Sequence, residues 1–136
     1  MLDISAINNP GELNDETLRS RAKRSNGGWA SEYIARIESL ETALLVLDHF
    51  PNKNTAKIYE IFVLEPYRLK GIATELLKFA EARARGLGCT KIELDVHSLD
   101  ASIHKGQLRA WYIRHGYESA TDDQDKLQKI FHDVCL

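Results

Sequence analysis

The sequence is poor in cysteine, balanced in charge and without a long apolar run. Its two cysteines in 136 residues, Cys89 and Cys135, form neither a CxxC pair nor a disulfide framework. They read as reduced thiols, which points to the cytoplasm. A structural zinc needs about four ligands in close pairs, and these are absent, so no metal is expected. The longest apolar run, Ala43-Leu44-Leu45-Val46-Leu47, is far too short to span a bilayer. The opening MLDISAINNPGELNDE lacks a basic segment followed by an apolar one, so no secretory signal is expected. There is no internal repeat and no low-complexity segment. The 18 Lys+Arg stand against 20 Asp+Glu, a formal net charge of -2, which disfavours a general nucleic-acid or membrane-surface binder. What is present is ordinary globular composition, 43% hydrophobic and 28% charged, at the length of one domain spanning 1–136. That length buries a core without staples.

The periodicities give an α/β order. Leu13 to Arg24 reads as a polar helix with Asn14 or Asp15 near its start and basic residues toward its end, a charge order that suits the helix dipole. Asn26-Gly27-Gly28 stops it. Trp29 to Glu38, Glu41 to His49 and Lys57 to Leu64 read as strands, with Pro51-Asn52-Lys53-Asn54 as a turn, and together suggest an antiparallel meander. Gly71 to Arg85 is the clearest helix, through Ile72, Ala73, Leu76, Leu77, Ala80 and Ala84. Lys91 to Val96 reads as a buried strand, parallel to the Lys57 strand, and Gln107 to His115 as a second helix closed by Gly116. In the tail, Leu127, Ile130, Phe131 and Val134 follow helical spacing.

One stretch carries chemistry. After the strand ending near Val63, a short loop holds Pro66, Arg68, Lys70 and Gly71, and a long helix follows. A helix N-terminus offers unpaired N–H groups and partial positive charge, which suits a phosphate or pyrophosphate. Gly71 lets a ligand approach the backbone, Ala73 does not block it, and Arg68 and Lys70 add charge. Taken alone, one glycine and two cations describe a plain strand-to-helix turn. The loop is neither GxxxxGK[ST] nor GxGxxG.

Its surroundings change the reading. Arg68-Leu69-Lys70-Gly71-Ile72-Ala73, preceded by Glu65-Pro66-Tyr67, resembles motif A of the GNAT superfamily of acyl-CoA N-acyltransferases, whose signature is Arg/Gln-x-x-Gly-x-Gly/Ala. About forty residues on, Ala110-Trp111-Tyr112-Ile113-Arg114-His115-Gly116-Tyr117-Glu118 looks like the family's Leu-Tyr-Glu-Lys-Leu-Gly-Phe-Glu helix end, with Trp111 and Tyr117 in place of Leu and Phe. The resemblance covers roughly Tyr33 to Glu118.

The resemblance implies the GNAT fold, a mixed, mostly antiparallel sheet with a splayed parallel pair at its centre, flanked by helices. It implies acetyl-CoA as co-substrate, with the pantetheine arm on the backbone of Phe62 and Val63 in the manner of an added strand. The pyrophosphate would sit on the amides of Arg68, Leu69, Lys70, Gly71, Ile72, Ala73 and Thr74. Tyr112 matches the tyrosine that protonates the leaving thiolate, a phenol being neutral at pH 7. Its plainer role is core packing. The acceptor amine must be neutral to attack, and at an ordinary pKa only about one in a few thousand is. Glu60 is the first candidate base, or else a solvated edge-strand glutamate. Asp95, which forms Asp-x-His with His97, is the second. No covalent acyl-enzyme is implied.

The family's Asn-x-x-Ala, seven and four residues before the tyrosine, is Lys105 and Leu108 here, so that pantetheine contact is not expected. The loop Ser98 to Gly106 is several residues longer than typical and reads as a surface excursion. One N-terminal helix stands where the family often has two, which implies a more open acceptor pocket. The family places two strands in the tail despite its helical spacing. The implied activity is an acyltransferase of the EC 2.3.1 type, acting on a small amine or a protein or peptide amine, with a homodimer common in the family. The alternative is a non-catalytic acyl-CoA-binding regulatory module on the same fold.

Overall fold

The computed structural model describes residues 2–25, 30–96 and 104–131. Its elements are β1 (Leu2–Ile7), α1 (Glu16–Ser25), β2 (Ser31–Ile37), β3 (Leu40–Phe50), β4 (Thr55–Val63), α2 (Ile72–Gly86), β5 (Lys91–Asp95), α3 (Lys105–Arg114), β6 (Glu118–Ser119) and β7 (Lys126–Ile130). The strands form one mixed sheet in the order β1-β2-β3-β4-β5-β7-β6. All neighbours are antiparallel except the central pair, β4 with β5. The meander and the parallel pair expected from the sequence are both present.

Local chemistry explains the helices. Asp15 caps α1, its Oδ1 accepting from the amide of Leu18 at 2.9 Å. The Glu41 carboxylate accepts from the amides of Asn14 and Asp15, tying the helix start to β3. Leu18 and Ala22 of α1 pack with Ile34, Leu44, Val46 and Phe62 on one face of the sheet. On the other face Leu76, Leu77, Ala80 and Ala84 of α2 join Ala35, Leu45, Leu47, Ile58, Ile92 and Leu94. Beyond α2, Gly88 takes φ +83°, a left-handed closure that favours glycine. Tyr117, in place of phenylalanine, donates to Oε2 of buried Glu81 at 2.9 Å, and Nζ of Lys129 lies 3.2 Å from the other carboxylate oxygen.

Two elements differ from those expected. β1 is not among the strands read from the sequence, although Leu2-Asp3-Ile4-Ser5 alternates apolar and polar residues. Leu2 and Ile4 are only partly buried against the core of an edge strand. The tail forms β6 and β7, not a helix. Leu127 and Phe131 enter the core while Ile130 is exposed. A separation of four residues shares a face in either a helix or a strand, so those two positions could not tell them apart. Val134 lies outside the described residues.

A bulge in β4 positions everything that follows. Val46 faces Glu60 and Leu47 faces Ile58, so Tyr59 has no opposite residue. Ile58 therefore points into the α2 face while Phe62 points into the α1 face. A bulge bends its strand and increases local twist. The pairing of β4 with β5 runs from Thr55–Lys91 to Ile58–Leu94 and stops at the bulge.

Candidate active site

Beyond Ile58 the two parallel strands diverge, and a cavity of about 540 Å³ opens between them. It is lined by the splayed half of β4, the loop before α2, the first turn of α2, the end of β5 and α3. Glu60, Phe62, Val63, Arg68, Leu69, Gly71, Ile72, Ala73, Thr74, Asp95 and Tyr112 all line it, while exposed Lys70 does not.

The parity of β4 decides which backbone groups face the gap. The Leu64 amide donates to the Thr42 carbonyl at 2.9 Å, toward β3. In an antiparallel ladder alternate residues point the same way, so Phe62 also bonds toward β3. The amides and carbonyls of Ile61 and Val63 then face the gap. Strand addition there would use Ile61 and Val63, whereas Phe62 contributes its ring. Ile61 was not picked out from the sequence, because only the bulge and the register set this parity.

At the far end, Leu69 (φ 64°) and Gly71 (φ 81°) are both left-handed, a turn geometry that gathers amides into an anion-binding concavity. Leu69 is fully exposed, so a strained non-glycine residue stands on the loop itself. The first bond of α2 runs from the Glu75 amide to the Gly71 carbonyl, leaving the amides of Ile72, Ala73 and Thr74 without intrahelical partners. A Cβ at Gly71 would meet nothing within 4 Å, so the approach to these amides is open.

Tyr112 sits in the wall of the cavity and is only 6% exposed. Trp111 and Tyr117 pack edge-on against its ring at 4.9 and 5.6 Å. Among the described residues its hydroxyl has no hydrogen-bond partner. Burial pushes its phenol well above the ordinary range, because desolvation disfavours the phenolate.

The two carboxylates sit in different settings. Glu60 accepts from Nη1 of Arg21 at 2.9 Å, both side chains being mostly buried, and the Arg21 guanidinium lies 3.7 Å from the Phe62 ring centre. Asp95 is held by Lys57 at 3.0 Å and Lys126 at 3.3 Å. The hydrogen bond from Lys57 leads in holding its carboxyl below the usual carboxylate range. Arg21 was missed as a site residue, since it comes from a helix 39 positions away in sequence.

Leu108 lines the cavity, and Lys105 is paired with Asp125. His104 caps α3, its Nδ1 accepting from the Gly106 amide. His97, Cys135 and residues 98–103 of the long loop lie outside the described residues. Cys89 is buried away from the cavity. Among the described residues no three His, Cys, Asp or Glu side chains converge as metal ligands.

The profile of the acetyltransferase (GNAT) family matches residues 13–105. No curated protein matches the sequence. Among solved structures, the chain is similar to the PaiA N-acetyltransferase of Thermoplasma acidophilum in complex with coenzyme A. The TM-score is 0.68 at 18% identity, over 96% of this chain and 99% of that one. It is similar to an acetyltransferase of Bacillus subtilis in complex with CoA, at TM-score 0.66 and 20% identity, over 96% and 99%. A third is an acetyltransferase from Elizabethkingia anophelis with acetyl-CoA bound, at 0.67 and 16%, over 96% and 98%. At these identities the structural likenesses establish the fold, a GNAT-type mixed sheet flanked by helices.

Proposed function

The chain belongs to the acetyltransferase (GNAT) family, and from that premise we propose that it moves the acetyl group of acetyl-CoA to a primary amine by direct transfer in a ternary complex. One observation carries the reading. A single cavity joins the open amides of α2, the gap-facing edge of β4 and the Tyr112 ring. These are an anion site, an amide-pairing edge and a proton donor, in the order that a pyrophosphate, a pantetheine arm and a thioester require.

The residues present fit that co-substrate. The amides of Ile72, Ala73 and Thr74 would take the pyrophosphate, with the helix dipole adding to them. Ile61 and Val63 would pair with the amides of the arm. As the amine forms its bond to the acetyl carbon, the carbon–sulfur bond breaks and the sulfur takes the electron pair. Tyr112 gives that thiolate its proton. A phenol kept neutral by burial holds its proton ready, and the same burial makes the thiolate a stronger base. Glu60, directly or through water, takes the proton lost by the attacking nitrogen. Asp95, held ionised by Lys57 and Lys126, is the second candidate base and contributes negative charge near the incoming cation.

The test is calorimetric titration of acetyl-CoA into wild type and Gly71→Glu, followed by screening amines for CoA release. The variant puts a carboxylate where the pyrophosphate approaches, so tight binding should be lost. Gly71→Asn, which tolerates the left-handed conformation, controls for backbone strain. Absence of binding to wild type would sink the reading. Binding with no turnover on any amine would favour a regulatory acyl-CoA-binding module.

A further inference from the structure

Arg68 sits in the anion loop, yet its side chain turns back to the sheet. Its Nε donates to the Val63 carbonyl at 2.9 Å, and its guanidinium lies 5.5 Å from the centre of the Phe62 ring. The same ring carries the Arg21 guanidinium, which is bonded to Glu60. Two arginines, one from α1 and one from the loop, thus bear on the part of β4 that has lost β5 as a neighbour. A strand end paired on one side only is free to twist and fray.

The bond to Val63 falls at a telling place. The Val63 carbonyl and the Leu64 amide belong to one planar peptide unit. That unit is held toward β3 by the Leu64–Thr42 bond and toward the gap by Arg68. With both ends pinned, its plane is set, and so is the direction of the neighbouring Val63 amide that faces the gap.

We propose that Arg68 is a positioning residue that fixes the gap-facing edge of β4 for amide pairing, with Arg21 bracing the same strand end from α1. The proposal rests on the acetyl-CoA reading. It differs from the charge role that the loop suggests, and the two make opposite predictions. A phosphate-binding guanidinium acts on the part of the ligand that carries phosphate. A strut acts on the part that lies along the strand, whether or not phosphate is present.

The experiment uses three probes on the full chain: acetyl-CoA, S-acetylpantetheine, which has the arm without phosphates, and 3′-phosphoadenosine 5′-diphosphate, which has the phosphates without the arm. Affinities for wild type, Arg68→Met, Arg68→Gln and Arg68→Lys are read by calorimetry and ligand-observed NMR. Arg68→Met should weaken acetyl-CoA and S-acetylpantetheine by the same factor, about tenfold for one lost charge-assisted bond. The nucleotide should stay within about twofold. Glutamine places its amide nitrogen the same number of bonds from Cα as the arginine Nε, so Arg68→Gln should recover most of the loss without any charge. Arg68→Lys, which keeps the charge, should not.

A loss on the nucleotide as large as that on S-acetylpantetheine overturns the proposal. So does rescue by lysine in place of glutamine, an outcome that decides the matter even if Arg68→Met fails to fold. Wild type that binds none of the probes overturns the acetyl-CoA reading itself, which separates the two failures.

Discussion

Strand β4 is two structures in nine residues. From Thr55 to Ile58 it bonds to β3 on one side and β5 on the other. Thr55, Ala56 and Ile58 in this half are buried. From Tyr59 to Val63 it keeps β3 alone, and its free edge opens on the cavity. Both halves are rich in β-branched and aromatic residues, so strand propensity does not separate them. What separates them is one inserted residue. A cleft in the middle of a sheet arises here from a change of register, and the strand on either side of it stays well formed.

The largest effect should come from removing that difference. Deleting Tyr59 leaves Ile58 facing α2 and Glu60 facing α1, since the bulge only adds a residue between them. The strand can then run straight alongside β5 and close the gap. Acetyl-CoA affinity should fall by more than about a hundredfold while the thermal midpoint holds or rises. A deletion variant that binds like wild type would show that the bulge does not make the cleft.

Next in size is Tyr112→Phe, at the wall that faces the splayed half. It should lower kcat by about a hundredfold or more with acetyl-CoA affinity unchanged, as expected for loss of an acid. Because burial raises this phenol, it keeps its proton below and past its ordinary value of 10.0. The wild-type pH–rate profile should therefore show no alkaline downturn before that pH. A downturn near neutrality that disappears in the phenylalanine variant would contradict the assignment.

A smaller effect sharpens the contrast within the strand. Ile58→Ala in the paired half should cost about 2–4 kcal/mol by chemical denaturation, since the side chain is buried in the main core. Ile61→Ala in the splayed half, partly buried, should cost about 1 kcal/mol and register more in ligand affinity. Equal costs would mean that the splayed half is as much a part of the core as the paired half.

Asp95→Asn should have the least effect. The carboxylate is 41% exposed, so its pairing with Lys57 and Lys126 is screened and worth roughly 0.5 kcal/mol. Its pKa is lowered in the folded state, so that contribution is present above the ordinary value of 3.8 and is lost as pH falls below it. Wild-type and variant melting curves should differ at neutral pH and merge in acid.

Much of this was legible before any fold was known, and the reasons are local. Apolar spacing from Ile72 to Ala84 marked α2. Asn14 or Asp15 marked the start of α1, and the glycine at 71 marked the turn into α2. The helix N-terminus carried its chemistry with it, because orphan amides follow from helix geometry whatever packs around them. These features depend on residues within a few positions of one another. So α1, the meander, α2 and the loop before it could be read from nearby residues, whereas Tyr112 was singled out by the family resemblance.

The remaining features depend on partners far apart in sequence. Tyr59 is a bulge only because β3 supplies no residue opposite it. Ile61, not Phe62, faces the gap because the β3 register sets the parity of every later amide. Arg21 meets Glu60 only after α1 has packed on the sheet, and Arg68 turns to Val63 only once the loop has folded back. β7 became a strand by pairing with edges that periodicity cannot see. The sequence by itself determined the two helices α1 and α2, the central meander and the loop that leads into α2, because these follow from neighbours in the chain. Tertiary structure decided which face and which backbone edge those elements present, because register and long-range pairing are properties of neighbours in space.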